Sequence, residues 1–208
     1  MKEKLHAASD FLSNNKKPAL AIFGVLIIIT GLFFVFTSPK RGTLGYEARH
    51  QQVTPKKAMN KLIADQQKGS PKNGKPNTTI FVFYRNDCDV CKRNGKSIIK
   101  MVNDVKKTST GNVTITYVNA KHGVPDWFKK HYGLVLGDVK TPYVFELRSD
   151  LYESHNATKD NVKFYPAVRG RLVNKDAIQY AKSSLISGSQ MERSQIYQLD
   201  NINNSLDN

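Results

Sequence analysis

Cysteine is nearly absent from this chain of 208 residues, with Cys88 and Cys91 as the whole supply. A secreted scaffold held by several bridges is excluded, and any thiol chemistry is confined to four consecutive residues. Acidic side chains are also scarce: 17 Asp and Glu stand against 32 Lys and Arg, a formal net charge of +15. That balance rules out an acidic or neutral surface and invites a nucleic-acid or membrane partner. Three of the five histidines, His122, His131 and His155, lack ligand spacing, so a zinc site built on one C-x-x-C finds no second pair of ligands. They read as surface residues. A haem attachment needs histidine after the second cysteine, where Lys92 stands. The length suits one domain with appendages.

The charge is unevenly distributed. Residues 1–75 carry +9, residues 76–188 carry +8 and residues 189–208 carry −2. The basic first third also holds the most apolar segment, residues 19–37, which are free of charge and include Val25 to Ile29 and Phe33 to Phe36. As a helix it would be roughly 28 Å long, close to the thickness of a bilayer's hydrocarbon core. An uncleaved anchor over residues 18–38 is therefore expected, with a short cytoplasmic segment at 1–17. A cleaved signal peptide competes, since Lys16 and Lys17 resemble a basic n-region. Against it, the run exceeds the usual apolar length, no A-x-A-like site follows, and Pro39-Lys40-Arg41 resembles a stop-transfer flank. No cysteine follows the run, which excludes lipoprotein processing. Basic residues flank both ends, so charge alone does not orient the helix.

Residues 39–53 show little periodicity and read as a juxtamembrane linker. A helix is expected over 54–68, with Thr54 placed to cap and Pro55 at the first helical position. After a stretch rich in Gly and Pro, residues 78–84, Thr-Thr-Ile-Phe-Val-Phe-Tyr, suit a strand buried on both faces. Two cysteines placed at random would adopt C-x-x-C spacing about once in a hundred chains, so Cys88-Asp89-Val90-Cys91 counts as a signal. Behind it, Ile98, Ile99, Val102 and Val105 alternate with lysines in an amphipathic helix with a basic outer face. Cys88 would open that helix, where exposed N–H groups and the dipole favour a thiolate. Strands are expected over 113–118, 142–147 and 162–168, a short helix over 125–132, and a last helix over 174–186. The order αβαβαββα predicts a mixed α/β sheet with helices on both faces.

In element order and size, residues 54–187 resemble the thioredoxin superfamily: a strand, C-x-x-C at the start of the next helix, then strand, helix, and Thr141-Pro142 opening another strand. The resemblance implies that Pro142 is a cis-proline facing the cysteine pair. It implies thiol–disulfide exchange in which Cys88 is the nucleophile, Cys91 the resolving thiol, and Thr141 and Pro142 offer backbone groups to the substrate. No cofactor and no metal are implied. An external redox partner must regenerate the pair, because the chain has no third cysteine. Asp89 and Val90 depart from the Gly-Pro or Pro-His found between the family's cysteines, and Val82 stands where thioredoxins carry a buried aspartate. Asp87 and Asp89 oppose a Cys88 thiolate while Arg85, Lys92 and Arg93 favour it, and neither direction of exchange is selected.

The Lys- and Asn-rich chain as a whole looks like membrane-anchored thioredoxin-like proteins of Gram-positive bacteria, some of which accompany bacteriocin export or conjugative transfer. The expected function is an extracytoplasmic oxidoreductase acting on cysteine-containing exported proteins, on the side of the membrane where disulfides persist. The alternative from another class is a non-enzymatic thioredoxin-fold adaptor in a secretion or conjugation complex. A structural disulfide between Cys88 and Cys91 would close too short a loop to stabilise much. Trp127, Phe128 and Tyr132 among Lys129, Lys130 and His131 resemble a single-strand nucleic-acid platform, but no recognised nucleic-acid motif accompanies them and no nucleic-acid partner is expected. Residues 188–208 read as a polar tail.

Overall fold

The computed structural model describes residues 24–30, 40–68, 76–109, 111–137, 139–153 and 156–188. Two compact units divide the chain, Met1–Pro39 and Lys40–Asn208. In the first, residues 24–30 are helical, and Val25 to Ile29 are each more than half exposed. Among the described residues no helix is long and apolar enough to cross a membrane. Most of the expected anchor over 18–38 lies outside them, as do the segment 1–17 and the tail from residue 189.

The second unit contains five helices and four strands among its described residues: α1 (Leu44–His50), α2 (Pro55–Gln67), β1 (Thr78–Tyr84), α3 (Asp89–Thr108), β2 (Val113–Asn119), α4 (Asp126–His131), β3 (Tyr143–Tyr152), β4 (Phe164–Arg171) and α5 (Lys175–Gly188). The sheet order is β2-β1-β3-β4, with β1 parallel to β2 and antiparallel to β3, and β3 antiparallel to β4. The fold is thus a four-stranded mixed sheet flanked by helices.

All seven residues of β1 are buried, and their side chains alternate between two cores. Ile80 and Val82 join a cluster with Ile98, Val102 and Val105 of α3 and with Ile178 and Leu185 of α5. Phe81 and Phe83 join the opposite cluster with Met59 and Leu62 of α2 and Phe128 of α4. There the rings meet edge to face, Phe83 lying 5.0 Å from Phe128 and 5.2 Å from Phe145 between centroids.

The reading of residues 39–53 as a linker is corrected, because α1 folds within it and the compact unit already includes Lys40. The Thr43 hydroxyl caps α1 by accepting from the Tyr46 N–H at 3.3 Å. Leu44 is 3% exposed and packs into the α3 side of the core, where a Cβ on Gly95 would lie 3.7 Å from its Cγ. The helix was missed because a seven-residue element with one buried apolar side chain gives no period. Beyond α1, Gln51 seals the open edge of β2. Its Oε1 accepts from the Tyr117 N–H and the Thr116 hydroxyl, both at 2.8 Å, as a neighbouring strand would.

The hairpin of β3 and β4 is longer and set later than 142–147 and 162–168 suggested. It carries irregular register around Leu147, and Pro166 sits on the edge strand β4, where proline is tolerated. Glu146 of β3 faces inward opposite Ile80 and is wholly buried, with both carboxyl oxygens lacking a hydrogen-bond partner. The close approach of Gly188 leaves it no room, since a Cβ there would lie 2.6 Å from Oε2. Burial pushes the Glu146 carboxyl up to about 8, against a smaller downward pull from Arg148.

Two tests follow from this packing, both on the full chain in non-ionic detergent. Leu44→Ala is expected to lower unfolding stability by about 2–3 kcal/mol, whereas Val135→Ala, at a site 94% exposed, changes it by less than about 0.5 kcal/mol. Urea unfolding measures both, and an unaffected Leu44 variant would return α1 to linker status. For Glu146, the unfolded chain releases the proton near its ordinary value while the folded chain holds it toward about 8, so native stability falls as pH rises through that window. Glu146→Gln is expected to match the native chain near pH 4.5 and to exceed it at pH 8, by on the order of 4 kcal/mol; a pH-independent difference would refute this assignment.

Candidate active site

Cys88 and Cys91 lie where β1 hands over to α3. Arg85, Asn86 and Asp87 turn the chain, and Cys88 is the N-cap of α3 in extended conformation, with φ −88° and ψ 116°. Its Sγ accepts from the Cys91 N–H at 3.2 Å, which makes the thiol the cap of its own helix. Cys91 sits one turn on, 4% exposed and packed in the α3 core cluster, while Cys88 is half-buried. Both thiols are free.

The Thr141–Pro142 peptide is cis, and it faces this pair. The Cys88 thiol donates to the Thr141 carbonyl oxygen at 3.4 Å across 53 residues of sequence. A further chain of bonds fixes the distance between the two segments. The Leu172 N–H donates to the Pro142 carbonyl at 2.9 Å, and Asn94, on the first turns of α3, donates through Nδ2 to the carbonyls of Leu172 and Val173 at 3.0 and 2.8 Å. Asn94 and Leu172 therefore position the site, although nothing in the sequence around them indicates it.

The carboxylates that flank Cys88 are each paired outward. Arg85 holds Asp87 with two bonds, at 3.0 and 2.7 Å, and keeps its carboxyl down to about 2. Lys92 reaches Asp89 at 3.3 Å. With these charges offset, short-range contacts decide the thiols. Burial pushes the Cys88 thiol up, but hydrogen bonds from the Cys91 thiol, the Cys91 N–H, the Thr141 side chain and the Val90 N–H outweigh it, and the net shift is below the ordinary thiol value. Cys91 moves the other way. Burial first, and its hydrogen bond to Cys88 second, raise it to about 11.

An open groove of about 790 Å³ borders the pair, with Cys88 and Thr141 among its walls and Ala120, Val124 and Leu136 along its apolar stretch. Other residues singled out in the sequence lie away from it or inside the core. Phe128 and Tyr132 are buried in the aromatic cluster, and Trp127 packs against that cluster. His131 is buried too, not on the surface as expected, and its Nδ1 meets the carbonyl of Val162, in the segment before β4, at 3.0 Å. His122 is exposed, and His155 lies outside the described residues. Among the described residues no three His, Cys, Asp or Glu side chains gather as metal ligands do.

The opposed shifts predict unequal reactivity. Iodoacetamide is expected to alkylate Cys88 with a pH midpoint below the ordinary thiol value of about 8.5, and to spare Cys91 below pH 10. Cys91→Ala, which removes one of the thiolate's hydrogen bonds, is expected to move the Cys88 midpoint upward. Equal labelling of the two cysteines at pH 7 would contradict the assignment.

No protein-family model, no curated protein and no solved structure matches this chain.

Proposed function

We propose that the protein is a membrane-anchored thiol–disulfide oxidoreductase with a thioredoxin-like domain, tethered by residues 18–38 and working outside the membrane on cysteine-containing exported proteins. The observation that carries this reading is the pairing of a half-buried, hydrogen-bonded Cys88 with a buried Cys91 of raised pKa, both against a cis Thr141–Pro142 peptide. Perturbed thiols beside a groove are the pattern expected of a nucleophile and its resolving partner.

In the reducing direction the Cys88 thiolate attacks one sulfur of a substrate disulfide, forming a mixed disulfide and releasing the other sulfur as a thiolate that takes up a proton. Cys91 then loses its proton and attacks the Cys88 sulfur. The protein pair becomes a disulfide, and the substrate leaves with both sulfurs reduced. The oxidising direction is the reverse, beginning with a substrate thiolate on the Cys88–Cys91 disulfide. A protein dithiol or disulfide outside this chain restores the pair after each turnover. In the free dithiol the raised pKa of Cys91 and the lowered one of Cys88 make Cys88 the sulfur that attacks first. Bonds from the Thr141 and Pro142 segment would hold the substrate chain while the mixed disulfide lasts. The resemblance to anchored thioredoxin-like proteins supports the exported substrates and the outward domain, and the apolar run 19–37 supports the tether.

With the full chain in non-ionic detergent, insulin reduction and oxidative refolding of a reduced protein are expected for the native sequence and abolished in Cys88→Ser. Cys91→Ser should accumulate a mixed disulfide that names the substrate, and a membrane-impermeant thiol reagent should label Cys88 in intact cells. Equal activity in native and Cys88→Ser chains, or none in either, would leave the fold as an adaptor.

A further inference from the structure

The groove beside Cys88 is unusual in its charge. Four cations line it, Arg85, Lys121, Lys129 and Lys140, and no acidic side chain does so among the described residues. Two of the four are already engaged: Arg85 is bidentate on Asp87 and Lys129 reaches Asp126 at 3.5 Å. Lys121 and Lys140 form no ion pair among the described residues, although Asp87 feels the charge of Lys121. Both are exposed. Asp138 belongs to the same loop in sequence, between Gly137 and Val139, and lies outside the described residues. Lys121 follows the end of β2, and Lys140 immediately precedes the Thr141–Pro142 segment, so the two cations come from separate segments of the chain and line the same groove as Cys88. The lining also includes the apolar side chains of Val124, Leu136 and Val139.

On the exchange reading above, on which this inference rests, we infer that the groove selects its substrate cysteine by flanking carboxylates: an extended acidic segment, with an apolar side chain next to the cysteine and Asp or Glu on either side. Lys121 and Lys140 are the specificity-determining residues. A volume of about 790 Å³ is more than a single small thiol fills and suits a short run of peptide. The excess positive charge of residues 76–188, which the fold alone does not require, is thereby given a use at the site.

The test compares three peptides of equal length, each carrying one cysteine as its thiopyridyl disulfide beside a valine and flanked by Glu, Gln or Lys. The reduced full chain in non-ionic detergent attacks each one. The Cys88 thiolate bonds to the peptide sulfur and expels thiopyridone, which is followed by its absorbance. Cys91 then releases the peptide as a free thiol and leaves the protein pair oxidised. The thiopyridyl disulfide of 2-mercaptoethanol, which is neutral, reports exchange chemistry alone. At low ionic strength the Glu peptide is expected to react about five- to tenfold faster than the Lys peptide, from two exposed ion pairs. That ratio should collapse in 1 M salt, where screening acts within about 3 Å. The double variant Lys121→Glu, Lys140→Glu should invert the ratio, and Lys121→Gln, Lys140→Gln should bring it close to one. Equal rates for all three peptides, with the neutral disulfide consumed, would overturn the selection and leave the exchange reading standing. A ratio that survives both double variants would overturn the assignment to Lys121 and Lys140. Failure of every disulfide, the neutral one included, would overturn the exchange reading, and the selection with it.

Discussion

No side chain between Ile80 and Phe83 meets water, and most of the architecture follows from covering both faces of that one strand. Each face must be roofed by helices, since four consecutive large apolar residues leave no side free for solvent. The parallel partner β2 requires a long crossover, which α3 provides, and the antiparallel partner β3 is reached through α4 and the loop after it. The buried strand thereby also fixes where chemistry can occur. Its C-terminal end is the point at which a core element becomes a helix N-terminus, and Cys88 stands at that junction.

The pair of thiols illustrates how a site takes its character from short-range contacts when its charges cancel. Arg85, Asp87, Asp89 and Lys92 all surround Cys88 in sequence, yet the structure pairs them with one another. The remaining difference between the two sulfurs is depth and hydrogen bonding. One sulfur caps a helix and receives N–H groups; the other is enclosed by apolar side chains. Separation of the two titrations is thus a property of a four-residue segment, maintained by the longer link from Asn94 through Leu172 to Pro142.

Much of this was legible from residue patterns. The β1 run, the amphipathic stripe of α3 and Pro55 at the start of α2 each announce their element through composition or period, although Thr54 occupies the N-cap position without a side-chain cap bond, and the resulting frame brings Cys88, Cys91, Thr141 and Pro142 together. What escaped was local or distant. Helix α1 depends on Leu44 finding Gly95, a contact between segments fifty residues apart. Nothing in the residues around Glu146 signals its burial, which the close approach of Gly188 enforces. Lys121 and Lys140 come from two loops whose composition says nothing about the groove they share.

Gln51 also gives the molecule a mechanical character. The path from the N-terminal unit into the domain runs through α1 and then through this residue, whose amide takes the place of a strand on β2. Tension applied upstream of Lys40 would load the Leu44 seat and the Gln51 bonds before any strand-to-strand bond, because those contacts come first along the chain. They are few and act one after another, so they would yield at lower force than the sheet, whose ladder bonds share a load in parallel. Yielding there would lengthen the reach of the domain by the residues of α1 while leaving β1, α3 and the cysteine pair folded, at the cost of an unprotected β2 edge.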